Sequence, residues 1–231
     1  MRWLRRGSDG GDFAAAAERM VATQLAPRGI RDEAVLDAMR RVPRHRFVPA
    51  QEASVAYSDN ALPIGRGQTI SQPFIVALMT EALALPAWRA AHPAREPRVL
   101  DVGTGSGYQA AVLAEMGAQV VSIERDAELA ARAERLLHEL DYDVKVIVGD
   151  GSAGVPTDAP YAAITVAAAS PEVPAPLVEQ LEPDGRLVIP IGGRWEQQLV
   201  LVQPTADGFS TQPLEAAVFV PLVGRFGFGE D

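Results

Sequence analysis

The chain has 231 residues, 48% of them hydrophobic, a formal net charge of −9 and no cysteine. That length and apolar fraction suit one large globular domain and exclude wholesale disorder. The acidic balance disfavours a protein that grips nucleic-acid phosphates, and the missing thiols exclude disulfides and cysteine catalysis. His45, His92 and His138 are the three histidines, too scattered for the ligand spacing of a zinc site. Residues 1–12 begin basic and turn polar where a secretion signal needs its apolar stretch, so a frayed tail is expected. No run approaches the ~20 apolar residues of a membrane span. The alanine-rich stretch 13–24 predicts a helix that closes near Pro27 and Gly29. A second helix is predicted over 32–41, with Val35, Leu36 and Met39 on one face and Asp32 as its cap. Pro43 and Pro49 make 42–49 an extended connector, with His45 a solvated side chain within it. Residues 51–59 are ambiguous. Residues 62–73 read as irregular and polar, and run into a helix over 74–85 with Pro73 in its first turn. The proline-bearing stretch 86–97 reads as a surface linker.

From Arg98 the pattern alternates strand and helix. Val99-Leu100-Asp101-Val102 reads as a buried strand that breaks into Gly103-Thr104-Gly105-Ser106-Gly107 before a helix over 109–116. A glycine turn between strand and helix lets a ligand approach bare backbone. A dinucleotide fingerprint places its third glycine one position later, where Tyr108 stands. Asp101 would also repel a pyrophosphate, and suits a cationic head such as the amino group of S-adenosylmethionine. The strand 120–123 brings Glu124 to its carboxyl end, about 20 residues past the turn, from where an acid reaches ribose hydroxyls. After a helix over 127–140, the strand 144–148 ends at Gly149-Asp150-Gly151, with Asp150 placed for an adenine edge. Each acid alone reads better as a helix cap or a solvated strand end. Three acids at the ends of three successive strands argue for a ligand outside the strand ends.

A strand over 161–168, a helix over 176–181, a turn at 183–185 and a strand over 186–190 continue the alternation. After Gly193, strands over 198–203, 209–212 and 216–223 are joined by short turns and must pair antiparallel. The predicted fold is α/β: a doubly wound, mostly parallel, Rossmann-like sheet with an antiparallel C-terminal strand end and an N-terminal helical subdomain. One domain is expected over 1–231, divided into a tail 1–12, a helical part 13–97, a ligand-binding core 98–193 and C-terminal strands 194–231.

Several motifs then fall in the order of one family. Val42-Pro43-Arg44-His45-Arg46-Phe47-Val48-Pro49, the run Ala61 to Thr80, Asp101 to Tyr108, Gly149 to Gly151, Pro171 to Pro174 and Val218 to Leu222 resemble the protein-L-isoaspartate O-methyltransferases, over roughly residues 20–223. The segment Gln68 to Pro73 is the most specific of these, whereas the glycine turn is shared by many methyltransferases. The linker 86–97 is longer than the family usually carries. The resemblance implies methyl transfer from S-adenosylmethionine to the free α-carboxylate of L-isoaspartyl residues in damaged proteins, with Ser71 as the catalytic aligner. It implies cofactor contacts from Gln68, Thr69 and Ile70, from Asp101, Gly103, Thr104, Gly105, Ser106 and Gly107, and from Glu124, Gly149, Asp150 and Gly151. Ile64, Ser71, Val220 and Pro221 are the implied substrate contacts, and no metal is implied. The expected partners are isoaspartyl proteins and peptides, with no nucleic acid and no membrane, and a cytoplasmic monomer is expected. Ser71 also reads as a helix cap, two residues before Pro73. Residues 218–223 read either as an edge for an extended peptide or as the buried centre of the antiparallel end. The rivals are a methyltransferase for another carboxylate, a nucleoside-binding module without catalysis and a dehydrogenase.

Overall fold

In this computed structural model, which describes residues 10–229, the chain enters through helix α1 (Gly10–Met20). Residues 1–9 of the expected tail lie outside the described residues, and residues 10–12 already belong to the helix. The helical path continues through a π turn (Val21–Leu25) and a 3-10 turn (Ala26–Arg28), and Gly29 ends it at φ 102°. Helix α2 (Glu33–Arg41) starts at the predicted cap: the Asp32 carboxylate accepts from Ala34 N at 2.9 Å and Val35 N at 3.4 Å.

Residues 42–49 are not an extended connector. Arg44–Phe47 forms a 3-10 turn, which carries both Arg44 and Phe47 into the interior. Two flanking prolines fix their own φ and leave the residues between them free to turn. Nor is His45 solvated: it stacks on Phe13 at 4.0 Å, and its Nδ1 lies 2.9 Å from the Tyr57 hydroxyl. The stretch 62–73 is more ordered than its sequence suggests. It holds an antiparallel hairpin of β1 (Leu62–Gly65) and β2 (Gln68–Ile70), too short to leave a clear alternation. Helix α3 (Pro73–Ala82) opens on its proline as expected. The expected linker instead begins with helix α4 (Leu85–Ala91), whose first turn takes Pro86 and whose Leu85 and Trp88 are buried. Together Pro73–Ala91 has the length and apolarity of a membrane span by composition alone. Ala84, at φ 51°, splits it, and Phe74, Ile75, Val76, Ala77 and Met79 are buried, so it is a pair of core helices.

The sheet follows from β3 (Arg98–Val102), α5 (Tyr108–Glu115), β4 (Gln119–Glu124), α6 (Ala127–Glu139), β5 (Val144–Val148), β6 (Tyr161–Val166), α7 (Ala175–Glu179), β7 (Leu181–Gly192), β8 (Gln197–Thr205) and β9 (Gly208–Ala217). Seven strands lie in the order β5-β4-β3-β6-β7-β8-β9, parallel as far as β7 and antiparallel beyond it. The turn expected at 183–185 lies inside β7, where the register against β6 jumps from Leu181 to Arg186. The strand expected over 216–223 does not form. β9 ends at Ala217, and the following residues leave the sheet, with Pro221 in an isolated bridge to Ala169, just past the end of β6. Val99 and Leu100, neighbours on β3, fall into two different apolar clusters, one on each face of the sheet. The chain reverses its direction of winding between β3 and β6, and a crevice opens there at the carboxyl ends of the strands.

Candidate active site

The turn after β3 needs its glycines. Gly103, Gly105 and Gly107 stand at φ 92°, 53° and 88°, a region that side chains avoid. Gly103 N donates to Ile123 O at 2.9 Å and Gly107 N to Thr104 O at 2.7 Å, so the turn is tied to β4 and to itself. A Cβ on Gly105 would meet Ile64 Cδ1 at 3.4 Å, and one on Gly151 would press into Val102 Cγ1 at 2.6 Å. Bare backbone therefore floors an open cleft. Gln68 and Thr69 of the hairpin form one side, Glu124 and Arg125 another, and Val220 to Val223 the third.

Glu124 is buried and held by backbone. Its Oε2 accepts from Gly105 N at 2.9 Å and its Oε1 from Asp126 N at 3.0 Å. Each oxygen keeps a lone pair for a hydroxyl, as a ribose diol requires. Asp101 does not face the cleft. It is fully buried, its Oδ2 accepts from Ser122 Oγ at 2.7 Å, and Ser122 Oγ lies 2.6 Å from Thr104 Oγ1. Burial pushes the Asp101 carboxyl up to about 7, and the Glu124 charge adds to that, while the Ser122 hydroxyl opposes it. Asp101 thus braces the glycine turn through Ser122 and Thr104, and the cationic-head role read for it has no support in the geometry.

The remaining cofactor residues divide into those at the cleft and those behind it. Ser106 Oγ accepts from Tyr108 N at 3.4 Å and Gly107 packs against Leu137, both at the start of α5. Gly149 N donates to Glu124 O at 2.9 Å. Asp150 is also turned to structural use. Its Oδ1 accepts from Ser152 N and Oγ at 2.9 and 2.6 Å, and its Oδ2 from Arg225 N at 2.8 Å. It is not among the residues lining the cleft, whereas Gly151 is. Ile70 is buried opposite Leu62 and gives its side chain to the core.

Ser71 is not the cap of α3. Gln72 holds that position without a side-chain bond, and the cap comes from Asp59, whose Oδ1 accepts from Phe74 N at 3.0 Å. Among the described residues the Ser71 hydroxyl has no hydrogen-bond partner; Ser71 follows the cleft-lining Thr69 by two residues and is not itself among the residues lining the cleft. Its carbonyl is pinned from behind. Arg44 Nη2 donates to Ser71 O and Nε to Ala56 O, each at 2.7 Å, and the guanidinium stands 4.8 Å from the Tyr108 ring centroid. Sequence reasoning missed Arg44 and Asp59. The prolines flanking Arg44 in a non-periodic stretch were the available signal. Val220 and Pro221 line the cleft as expected, but Val218 is 70% exposed, so 218–223 is no buried central strand. Among the described residues, His92, Glu182 and Asp184 gather closely enough to hold a metal. Arg95 takes both oxygens of Glu182, and none of the three lines the cleft.

A glycine-floored switch-point cleft with a backbone-held acid at the end of the second parallel strand defines a Rossmann-like, S-adenosylmethionine-dependent methyltransferase. The family model described as protein-L-isoaspartate(D-aspartate) O-methyltransferase matches residues 15–227. The chain belongs to that family, and it methylates L-isoaspartyl residues with S-adenosylmethionine as its cofactor. It is 52% identical over 212 residues to the protein-L-isoaspartate O-methyltransferase of Methanoculleus marisnigri, covering 91% of this chain and 93% of that one. Its identity to the enzyme of Roseiflexus castenholzii is 56% over 214 residues, covering 92% and 94%. A solved protein-L-isoaspartate O-methyltransferase matches with TM-score 0.78 at 29% identity, over 91% of this chain and 67% of that one. A Plasmodium falciparum structure bearing the same family name, in complex with S-adenosyl-L-homocysteine, matches with TM-score 0.74 at 25% identity, over 91% and 98%.

Proposed function

We propose the following division of labour for the methyl transfer. Glu124 takes the ribose hydroxyls on its two free lone pairs, and the backbone of Gly103, Gly105 and Gly151 carries the rest of the cofactor. When bound, the cofactor supplies a methyl carbon activated by a sulfonium charge. The substrate carboxylate has an intrinsic pKa of ~3.5 and is ionised at neutral pH, so no general base is needed. Among the described residues no histidine lines the cleft, which agrees with that chemistry. The protein's task is then alignment and exclusion of water, and alignment can supply ~7–11 kcal/mol. Ser71 holds the carboxylate in line through its hydroxyl, with Gln68, Thr69 and Ile64 as the roof. Val220 and Pro221 receive the peptide flanks through backbone groups, which suits tolerance of varied sequences.

The observation that carries this reading is the pairing at Ser71: a hydroxyl without a partner, on a backbone pinned by the buried Arg44. The test is methyl transfer to paired isoaspartyl and aspartyl peptides, which differ only in carboxylate placement. A misplacement of ~1 Å can cost ~100-fold. Methylation of the isoaspartyl peptide with almost none of its isomer is the expected result, and equal rates would point to a different carboxylate as the natural substrate. A cytoplasmic monomer is proposed with this reading, and the cysteine-free composition suits a reducing compartment.

A further inference from the structure

We propose that Arg44 sets the preference for an ionised substrate: its buried charge, left without a carboxylate of its own, draws the isoaspartyl carboxylate to Ser71 and lets go of the neutral ester that transfer produces. The inference rests on the reading of Ser71 as the group that holds the carboxylate. That reading needs Arg44 as a pin for the Ser71 backbone and asks nothing of its charge.

Arg44 is fully buried on the 3-10 turn that follows Pro43. A buried cation ordinarily takes a carboxylate partner, because its desolvation is costly. Among the described residues Arg44 forms no ion pair. Nε and Nη2 donate to the carbonyls of Ala56 and Ser71, each at 2.7 Å, and Nη1 has no partner. The Tyr108 ring lies beneath the guanidinium, its centroid at 4.8 Å. Burial pushes the hydroxyls of Tyr57 and Tyr108 up, so neither supplies a negative charge. Asp59 is the carboxylate that acts on Arg44, and it is already engaged. Its Oδ2 takes Arg28 Nη1 at 2.5 Å and Gln72 Nε2 at 3.2 Å, while its Oδ1 takes Phe74 N at 3.0 Å. Two guanidinium groups thus share one carboxylate around residues 71–74. In a chain of net charge −9 this is a local surplus of positive charge.

Burial pushes the Arg44 guanidinium down, and Tyr108, Tyr57 and Asp59 oppose that fall. A guanidinium nevertheless stays protonated at any working pH. A carboxylate on the Ser71 hydroxyl lies one residue away from that charge, across a buried segment where solvent screens little. In the transfer a carboxylate oxygen forms its bond to the methyl carbon while the carbon–sulfur bond breaks, and that bond's electron pair stays on sulfur. The carboxylate and sulfonium charges vanish together, and the neutral ester has nothing to hold it to Arg44. The attraction is strongest for bound substrate and fades as the carboxylate loses its charge, so it governs which ligand binds and which leaves rather than the chemical step.

The test measures, by calorimetry, the binding of two peptides to the full chain saturated with S-adenosyl-L-homocysteine, which has no sulfonium charge of its own. One is an isoaspartyl peptide, and the other is its neutral counterpart with an α-carboxamide at the reacting position. The wild type is expected to prefer the acid by about tenfold or more. Arg44→Gln should bring the two affinities within about threefold of each other, and Arg44→Lys, which keeps the charge and loses the fork, should hold most of the preference. Asp59→Asn keeps an acceptor for Phe74 N and removes the shared negative charge, so its preference for the acid should rise by about twofold. A purely structural pin would weaken acid and amide together, and an unchanged ratio in all three variants overturns the proposal. Equal binding of acid and amide by the wild type overturns it as well. If Arg44→Gln fails to fold, Asp59→Asn decides: a rise in the ratio supports the proposal, and an unchanged or lower ratio overturns it. Normal turnover in Ser71→Ala removes the reading of Ser71 and this inference together, whereas lost turnover there with a wild-type ratio in Arg44→Gln overturns this inference alone.

Discussion

At Ser71 the two roles a serine can play before a helix are separated by the structure. Helix α3 is capped by Asp59, so truncating Ser71 leaves the Phe74 N–H satisfied. Ser71→Ala is expected to lower turnover at saturating substrate by at least about tenfold, or ~1.4 kcal/mol of transition-state stabilisation. Its thermal melt should stay within a degree or so of wild type, because no cap of ~0.5–2 kcal/mol is lost. A variant that melts early and turns over normally would make Ser71 structural and pass alignment to Thr69. Glu124 behaves differently, because its carboxylate serves both the fold and the ligand. Glu124→Ala frees the N–H groups of Gly105 and Asp126 and removes a charge-assisted contact worth ~1.5–3 kcal/mol. Cofactor binding should weaken by about tenfold or more, accompanied by a small fall in melting temperature. Calorimetry that finds unchanged affinity would remove Glu124 from the site.

What could be read at the level of elements depended on how local each signal was. The glycine turn, the cap at Asp32 and the run of β5 are written in adjacent residues, and each was legible. The acids at strand ends were legible as a pattern, but not individually. Glu124 reaches the cleft, while Asp101 and Asp150 turn to Ser122 and Arg225, partners 21 and 75 residues away. Arg44 was hidden for the same reason, since its carbonyl partners lie 12 and 27 residues along the chain. The hairpin β1–β2 was too short for its alternation to register. Helix α4 was masked by its prolines, although Pro86 occupies the first turn, where proline starts a helix. Trp88 shows that this helix belongs to the core. Its ring is buried, stacked on His92 at 4.2 Å and covered by Arg95 at 5.1 Å. Trp88→Ala should cost ~3–5 kcal/mol, as for a large core truncation. An unchanged denaturation midpoint would show that the segment is the detachable surface linker its prolines suggest.

For the molecule as a whole, the row of polar side chains across the centre of the sheet sets an expected pH dependence of stability. Asp101 on β3 stands beside Ser122 on β4 and Thr165 on β6, all three fully buried. Among the described residues, Asp101 Oδ1 and Thr165 Oγ1 have no hydrogen-bond partner. A carboxylate here faces desolvation and the nearby Glu124 charge, with the Ser122 hydroxyl as its one compensation. The unfolded chain releases the Asp101 proton near ~4, whereas the folded chain keeps it until about 7. Between those values the folded state binds more protons, so this group's contribution is fully present below ~4 and is lost as pH rises toward 7. Asp126, Asp150 and Asp158 have lowered pKa values, and what they contribute is lost only as pH falls below the ordinary carboxylate range. Their window and that of Asp101 do not coincide. Asp101→Asn carries no titrating proton at this position, so the variant and the wild type should diverge with pH. At pH 4 a neutral acid and an amide are close equivalents. By pH 8 the variant should have gained several degrees of melting temperature relative to wild type. A constant difference across that range would mean that Asp101 titrates alike in both states, and that the polar row is solvated well enough to carry its charge.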